Sequence, residues 1–181
     1  MPIKATAKNS PPAAPNLAYI DDGLVDIDLA NIRELEAGSL VRVQGTVAVL
    51  PGVFGKTYFY ITGSPGVQVY FSKSDWPKLA VGDVVGVIGE LTEANGETRL
   101  KISSKADVVP LYKGKPPEPS DAETGEISES LEGALIKTSG ELLEKKGNYW
   151  LLDDGSGEAR VTFQTNAKIT KPTAKAGDWI E

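Results

Sequence analysis

A chain that carries one pattern twice must find a fold that the pattern can adopt twice. Residues 32–45, IRELEAGSLVRVQG, lie against 127–140, ISESLEGALIKTSG, at an offset of 95. Ile32/Ile127, Glu34/Glu129, Gly38/Gly133, Leu40/Leu135 and Gly45/Gly140 coincide, and Gly82-Asp83 meets Gly177-Asp178 at the same offset. Between these anchors FYITGSPGVQVYF matches WLLDDGSGEARVTF after small changes of length. The preserved order predicts two copies of one small domain, over 24–112 and 127–181. A disordered or extended leader is expected over 1–23, and a Pro-rich, acidic linker (KGKPPEPSDAETGE) over 113–126 as a polar tether outside either core.

Each copy reads as strands. Leu40–Leu50 alternates with a period of two and is rich in β-branched residues, with Gly45 placed as a bulge or sharp bend would be. Lys56–Ile61 and Val67–Phe71 flank the turn sequence TGSPG. Ser74–Leu79 suits a short helical turn limited by Pro77. Val84–Leu91 and Thr98–Ser104 flank Asn95-Gly96, a hairpin signal. Five strands with a bend are best satisfied by a closed or partly open barrel, which removes the exposed edges. The second copy supplies Ala134–Leu143, Asn148–Leu152 and Ala159–Phe163 around DDGSG, and then only WIE. Its last strands are missing, so a fragment of a longer protein is expected, with an open edge. Leu24–Leu29 alternates and could fill that edge, pair with a neighbouring molecule, or lead into the first barrel.

The segments VRVQGTV, PGVFGKTYFYI, GVQVYF, GDVVGVIGEL and NGETRLKI resemble the oligonucleotide/oligosaccharide-binding fold, the OB-fold. YWLLDDGSGEARV is similar to the generic nucleic-acid-binding form, in which a Gly-rich turn joins strands two and three. More narrowly, the chain resembles tandem OB modules of large bacterial exported proteins, some with lamin-tail-like or nuclease domains. The resemblance implies an all-β fold of two five-stranded OB barrels in tandem, the second lacking its C-terminal strands. It also implies an extracellular or cell-surface setting. The first copy departs from the pattern by having TGSPG where an acidic turn is usual.

Strand parity places a candidate face. With Phe59 and Ile61 inward, Tyr58 and Tyr60 point out; with Val67, Val69 and Phe71 inward, Gln68 and Tyr70 point out. The first strand adds Arg42 and Gln44, the last adds Arg99 and Lys101, and Lys56 and Trp76 would rim the adjoining loops. In the second copy Tyr149, Arg160 and Thr162 are the outward counterparts, whereas Trp150 aligns with Phe59 in the core. Tyrosines among basic and amide groups suit base stacking with phosphate neutralisation. Tyrosine also packs well in strands without any ligand, so an interdomain or protein contact stays open as a use for the same face. A tryptophan placed like Trp76 is more often a local core or loop anchor than a stacking residue.

Composition narrows the chemistry. Neither cysteine nor histidine is present, which excludes disulfide scaffolds, thiol nucleophiles, zinc fingers and every Ser-His-Asp arrangement. Glu34/Glu36 and Asp107 have no spacing that implies paired carboxylate catalysis, and no phosphate-cradling glycine motif precedes a helix. Asp153-Asp154 before Gly155-Ser156-Gly157 lacks the spacing of a calcium loop and reads as an Asp-capped turn, and Asp21-Asp22-Gly23 reads the same way. No enzymatic activity and no cofactor are expected. The net charge of −6 falls mostly on 113–133, away from the candidate face, so it predicts modest, salt-sensitive affinity for a polyanion. The expected function is weak binding of single-stranded DNA or RNA; the alternative is a structural or protein-interaction module, through the tyrosine face or the open edge. Carbohydrate is a third ligand class. The start lacks an apolar signal core and no stretch is long enough to span a membrane, so membrane insertion is not expected.

Overall fold

The computed structural model describes residues 23–63 and 66–181. The leader expected over 1–23 and the centre of the TGSPG turn thus lie almost wholly outside the described residues. Seven strands form the first sheet: β1 (Leu24–Asp26), β2 (Leu40–Val49), β3 (Tyr58–Thr62), β4 (Val67–Tyr70), β5 (Asp83–Ala94), β6 (Glu97–Lys101) and β7 (Val108–Lys113). Five of them close a ring in the order β2-β3-β4-β6-β5, returning to β2, with β4 and β6 parallel and the other pairs antiparallel. That order makes a five-stranded, OB-fold-like barrel. Closure follows from β2, which pairs with β5 over Leu40–Thr46 and with β3 over Thr46–Val49.

The interior is filled by alternate residues of every strand. Val41, Val43 and Val47 of β2, Phe59 and Ile61 of β3, Val67 and Val69 of β4, Val85, Val87 and Leu91 of β5, and Leu100 of β6 are all buried. Leu29 and Ile32, on a 3-10 turn at Leu29–Glu34, plug one end. Gly45 is no bulge; it pairs regularly with Val85. A Cβ there would come within 2.9 Å of Leu29 and 3.0 Å of Ile61, so the glycine makes room for the plug. The β2 bulge falls at Ala48 instead.

Ser74–Leu79 forms no helical turn. The segment is irregular, with Ser74 at φ +55°, and Trp76 is drawn into the barrel wall, edge-on to Phe59 at 5.0 Å and to Phe71 at 5.7 Å, with its indole N–H donating to Lys56 O at 2.8 Å. One strand, β7, was not expected. β1 pairs parallel with the start of β2, which assigns Leu24–Leu29 to the first barrel, and β7 pairs with β5.

The segment expected as a second copy shares several strand pairings with the first sheet at the offset of 95. β10 (Gly140–Lys146), β11 (Tyr149–Asp153), β12 (Glu158–Thr162) and β13 (Trp179–Ile180) form a sheet in the order β12-β11-β10-β13. Gly140↔Ile180 and Glu141↔Trp179 reproduce Gly45↔Val85 and Thr46↔Val84. The bulge recurs at Leu143, the position equivalent to Ala48. Asp178 accepts from the Lys175 N–H as Asp83 accepts from the Ala80 N–H. The sheet does not close among the described residues, and no counterpart of β6 is present there. Its core is correspondingly small: Leu142, Trp150 and Leu152, with Val161, Phe163, Ala174 and Ile180 half-buried around them.

Repetition extends further back than the sequence identities do. β8 (Ser120–Asp121) pairs parallel with β9 (Ile136–Lys137), in the same register as Val25–Asp26 against Val41–Arg42. The Ala122 N–H donates to Lys137 O just as the Ile27 N–H donates to Arg42 O. Part of the expected tether is therefore ordered against the second sheet, and Thr124 is 1% exposed.

Candidate functional site

Outward-facing residues of β3, β4 and β6 make the most aromatic surface of the barrel. Antiparallel pairing sets Tyr58 opposite Tyr70 and Tyr60 opposite Gln68. Parallel pairing then sets Gln68 opposite Arg99 and Tyr70 opposite Lys101. Because a strand's outward side chains recur every second residue, these form adjoining rows on one face.

One row is a hydrogen-bonded network. The Tyr60 hydroxyl donates to Glu97 Oε1 at 2.6 Å, and Gln68 Nε2 donates to Glu97 Oε2 at 2.9 Å and to Tyr60 Oη at 3.1 Å. Gln68, expected on the exposed outer surface, is only 8% exposed because Tyr60 and Glu97 close over it. Phe54 and Tyr58 buttress the Tyr60 ring edge-on at 6.2 and 6.0 Å. Burial raises the Tyr60 pKa, and the bond to the Glu97 carboxylate raises it further. Burial likewise lifts Glu97 above its ordinary value, opposed by the Tyr60 hydrogen bond and aided by nearby Glu132. Tyr58 is raised mainly by burial and then by the charge of Glu97.

The cations of the face lie further along β6. The Arg99 guanidinium lies 4.3 Å from the Tyr70 ring centroid, and its Nε donates to Thr92 Oγ1 at 3.2 Å. Lys101 sits opposite Glu90, 3.6 Å away. Charge therefore runs along the face, from Glu97 at one end to Arg99 and Lys101 at the other. Exposed Lys56 lies in the loop before β3.

Other expected members lie elsewhere. Arg42 is on the part of β2 that pairs with β1 and β5, where it donates to both Asp26 carboxylate oxygens at 3.0 and 3.3 Å. Gln44 is exposed on the same stretch, short of the β3 pairing. Trp76 is the loop anchor described above. Tyr149 and Arg160 meet in the second sheet, the guanidinium 4.1 Å from the ring. That copy otherwise places Leu151 where the first has Tyr60, and Thr162 where it has Tyr70, so the tyrosine cluster is not repeated.

Glu97 lies outside the strand expected from Thr98, because β6 starts one residue earlier. Its alternation with Arg99 and Lys101 was the available signal. Arg33 and Glu132 gave none. Arg33 Nη2 donates to Glu132 Oε1 at 3.0 Å, Glu132 O at 2.9 Å and Gly66 O at 3.3 Å, and the Thr98 N–H donates to the same Oε1 at 2.8 Å. Gly133 abuts Gly66; a Cβ on Gly133 would lie 2.6 Å from the Gly66 oxygen. This clamp sets the lead-in of the second copy beside the carboxylate end of the face. Asn166 adds a second tie by donating to Phe54 O at 3.0 Å.

At the DDGSG turn, Asp153 Oδ1 accepts from Gly155 N at 2.7 Å, while Asp154 accepts from Ser156 N at 2.9 Å, Thr124 Oγ1 at 2.7 Å and Thr124 N at 3.1 Å. These bonds hold Asp154 well below the usual carboxylate range, the Ser156 and Thr124 hydroxyls contributing most. The turn thus caps itself, as expected, and also latches the segment before the second copy. No group of three or more Asp or Glu among the described residues is arranged to hold a metal ion, and no described helix is long and apolar enough to cross a membrane.

Barrel closure and the aromatic face together define an OB-fold-like β-rich module. Neither a protein-family model nor a curated protein matches the chain. Among solved structures it is similar to the hypothetical protein YgiW of E. coli at 12% identity, over 50% of this chain and 100% of that one, with a TM-score of 0.39. At that distance the likeness supports no assignment of function.

Proposed function

We propose that the chain is a non-enzymatic binding module that holds single-stranded nucleic acid weakly on the outer face of β3, β4 and β6. The observation that carries this reading is the Arg99 guanidinium stacked over Tyr70, with Tyr58 opposite Tyr70 across the strand pair. Bases stack on such rings and guanidinium planes whatever their sequence, while Arg99, Lys101 and Lys56 neutralise phosphates. Three cations give a modest electrostatic footprint, so dissociation constants fall in roughly the 10⁻⁶ to 10⁻⁴ M range of non-specific binding. Fluorescence anisotropy with labelled 15-mers at low salt tests it. Binding should weaken with salt with a log–log slope of about −2, and Tyr58→Ala with Tyr70→Ala should each weaken it by about 1–3 kcal/mol. No binding at tens of micromolar protein would remove the proposal.

A second reading is favoured by the Arg33–Glu132 clamp. Here the two copies act as one rigid structural or protein-interaction unit of a larger exported bacterial protein, the setting implied by the sequence resemblance. Solution scattering that shows one rigid body, unchanged by nucleic acid, would support it over the first.

A further inference from the structure

We infer that Glu97, held between Tyr60 and Gln68, is a specificity-determining residue that selects a base presenting hydrogen-bond donors on its Watson–Crick edge, guanine above all; this rests on the nucleic-acid reading above. The argument is an inventory of donors. Tyr60 has one hydroxyl hydrogen, and it goes to Glu97. Gln68 Nε2 has two hydrogens, and they go to Glu97 and to Tyr60. An ionised carboxylate has none. Every donor of the cluster is therefore consumed inside it. What remains to meet a ligand is acceptor capacity: the spare lone pairs of Glu97, one on Tyr60 and those of Gln68 Oε1.

Such a surface repels a phosphate and accepts N–H groups. Guanine offers two side by side, N1–H and the 2-amino group, which match the two oxygens of a carboxylate. Cytosine and adenine offer only the exocyclic amine, next to an acceptor. Thymine offers N3–H between two carbonyl oxygens that would face the carboxylate. The rest of the face agrees with this orientation, because Arg99 and Lys101 follow Glu97 at alternate positions along β6, where the phosphates of a base bound at Glu97 would run.

The test is anisotropy with three labelled strands: an all-thymine 15-mer, the same strand with a central guanine, and one with hypoxanthine at that position. Hypoxanthine keeps N1–H and lacks the 2-amino group. The guanine strand should bind about fivefold or more tighter than the all-thymine strand, the lower end of what one bidentate base contact contributes, with hypoxanthine between them. Glu97→Gln should abolish most of that difference, while Arg99→Met should weaken all three strands alike. If the three strands bind equally to the unmodified protein, the inference fails and the nucleic-acid reading stands. If none binds, both fall. The comparison of strands on the unmodified protein needs no variant, so it holds even if Glu97→Gln fails to fold.

Discussion

Tyr60 and Glu97 are linked tightly enough that removing one strands the other. Tyr60→Phe keeps the ring against Phe54 and Tyr58 but leaves a half-buried carboxylate with one donor fewer. The expected cost is about 1–2 kcal/mol, read as a lower urea midpoint at unchanged m-value. Glu97 also imposes a pH dependence. Its folded-state pKa is raised above the ordinary 4.5, so the native state binds the proton more readily than the unfolded chain. Stability should therefore fall as pH rises through the window just above 4.5, and Glu97→Gln should flatten that slope. Asp154 works in the other direction. Its folded-state pKa is depressed below 3.8, so its contribution is full above that value and is lost on acidification. Both effects are measurable as unfolding midpoints from pH 2 to 7 for the parent and the two variants Glu97→Gln and Asp154→Asn.

The strands carry the repeat as matched backbone decisions, and matched substitutions probe them. Gly45 admits Leu29 and Ile61, whereas a Cβ on Gly140 would meet the Asp153 backbone at 2.9 Å. Gly45→Ala meets two terminal methyls that can shift, Leu29 Cδ1 and Ile61 Cδ1, beside the fixed Ile61 Cβ at 3.0 Å, and should cost about 1–3 kcal/mol. Gly140→Ala meets backbone that cannot move without breaking the β10–β11 pairing, and should cost at least as much. Trp150 takes the place of Phe59 in the second copy, and its indole N–H has no partner among the described residues. Trp150→Phe discards that unpaired donor and should be tolerated, whereas Trp150→Ala should cost about 3–5 kcal/mol. Thermal unfolding of the two variants separates the cases. The latch at Thr124 belongs to this scale as well. Thr124→Ala with Asp154→Asn should make the segment around 113–126 markedly more sensitive to limited proteolysis, leaving the first barrel intact.

At the scale of the whole molecule, Glu132 joins the two copies through Arg33 and the Thr98 N–H. Glu132→Ala should raise the radius of gyration in solution scattering and split one thermal transition into two, without affecting the fold of either copy. Much of this architecture was legible beforehand. Alternation named inward residues of β2, β3, β4 and β6 because a barrel wall has only two sides, and the offset of 95 named the glycines and aspartates that hold the turns. Segment 119–124 was not legible as a repeat of 24–29. Parallel pairing there uses backbone groups, which PSDAET supplies as well as LVDIDL does. The candidate face was half legible. Parity gave Tyr58, Tyr60, Tyr70, Arg99 and Lys101 as outward neighbours, and it misplaced Arg42 and Gln44 because β2 leaves β3 for β5 at Thr46. The sequence by itself determined most of the strands, the recurring spacing at an offset of 95 and the inward side of β2, β3, β4 and β6, since these depend on spacing along one chain. Only the tertiary structure decided the closure of the first barrel, the burial of Gln68 beneath Glu97 and the Arg33–Glu132 clamp. Each joins groups 29 to 99 residues apart, or strands distant in sequence, through partners that no local pattern encodes.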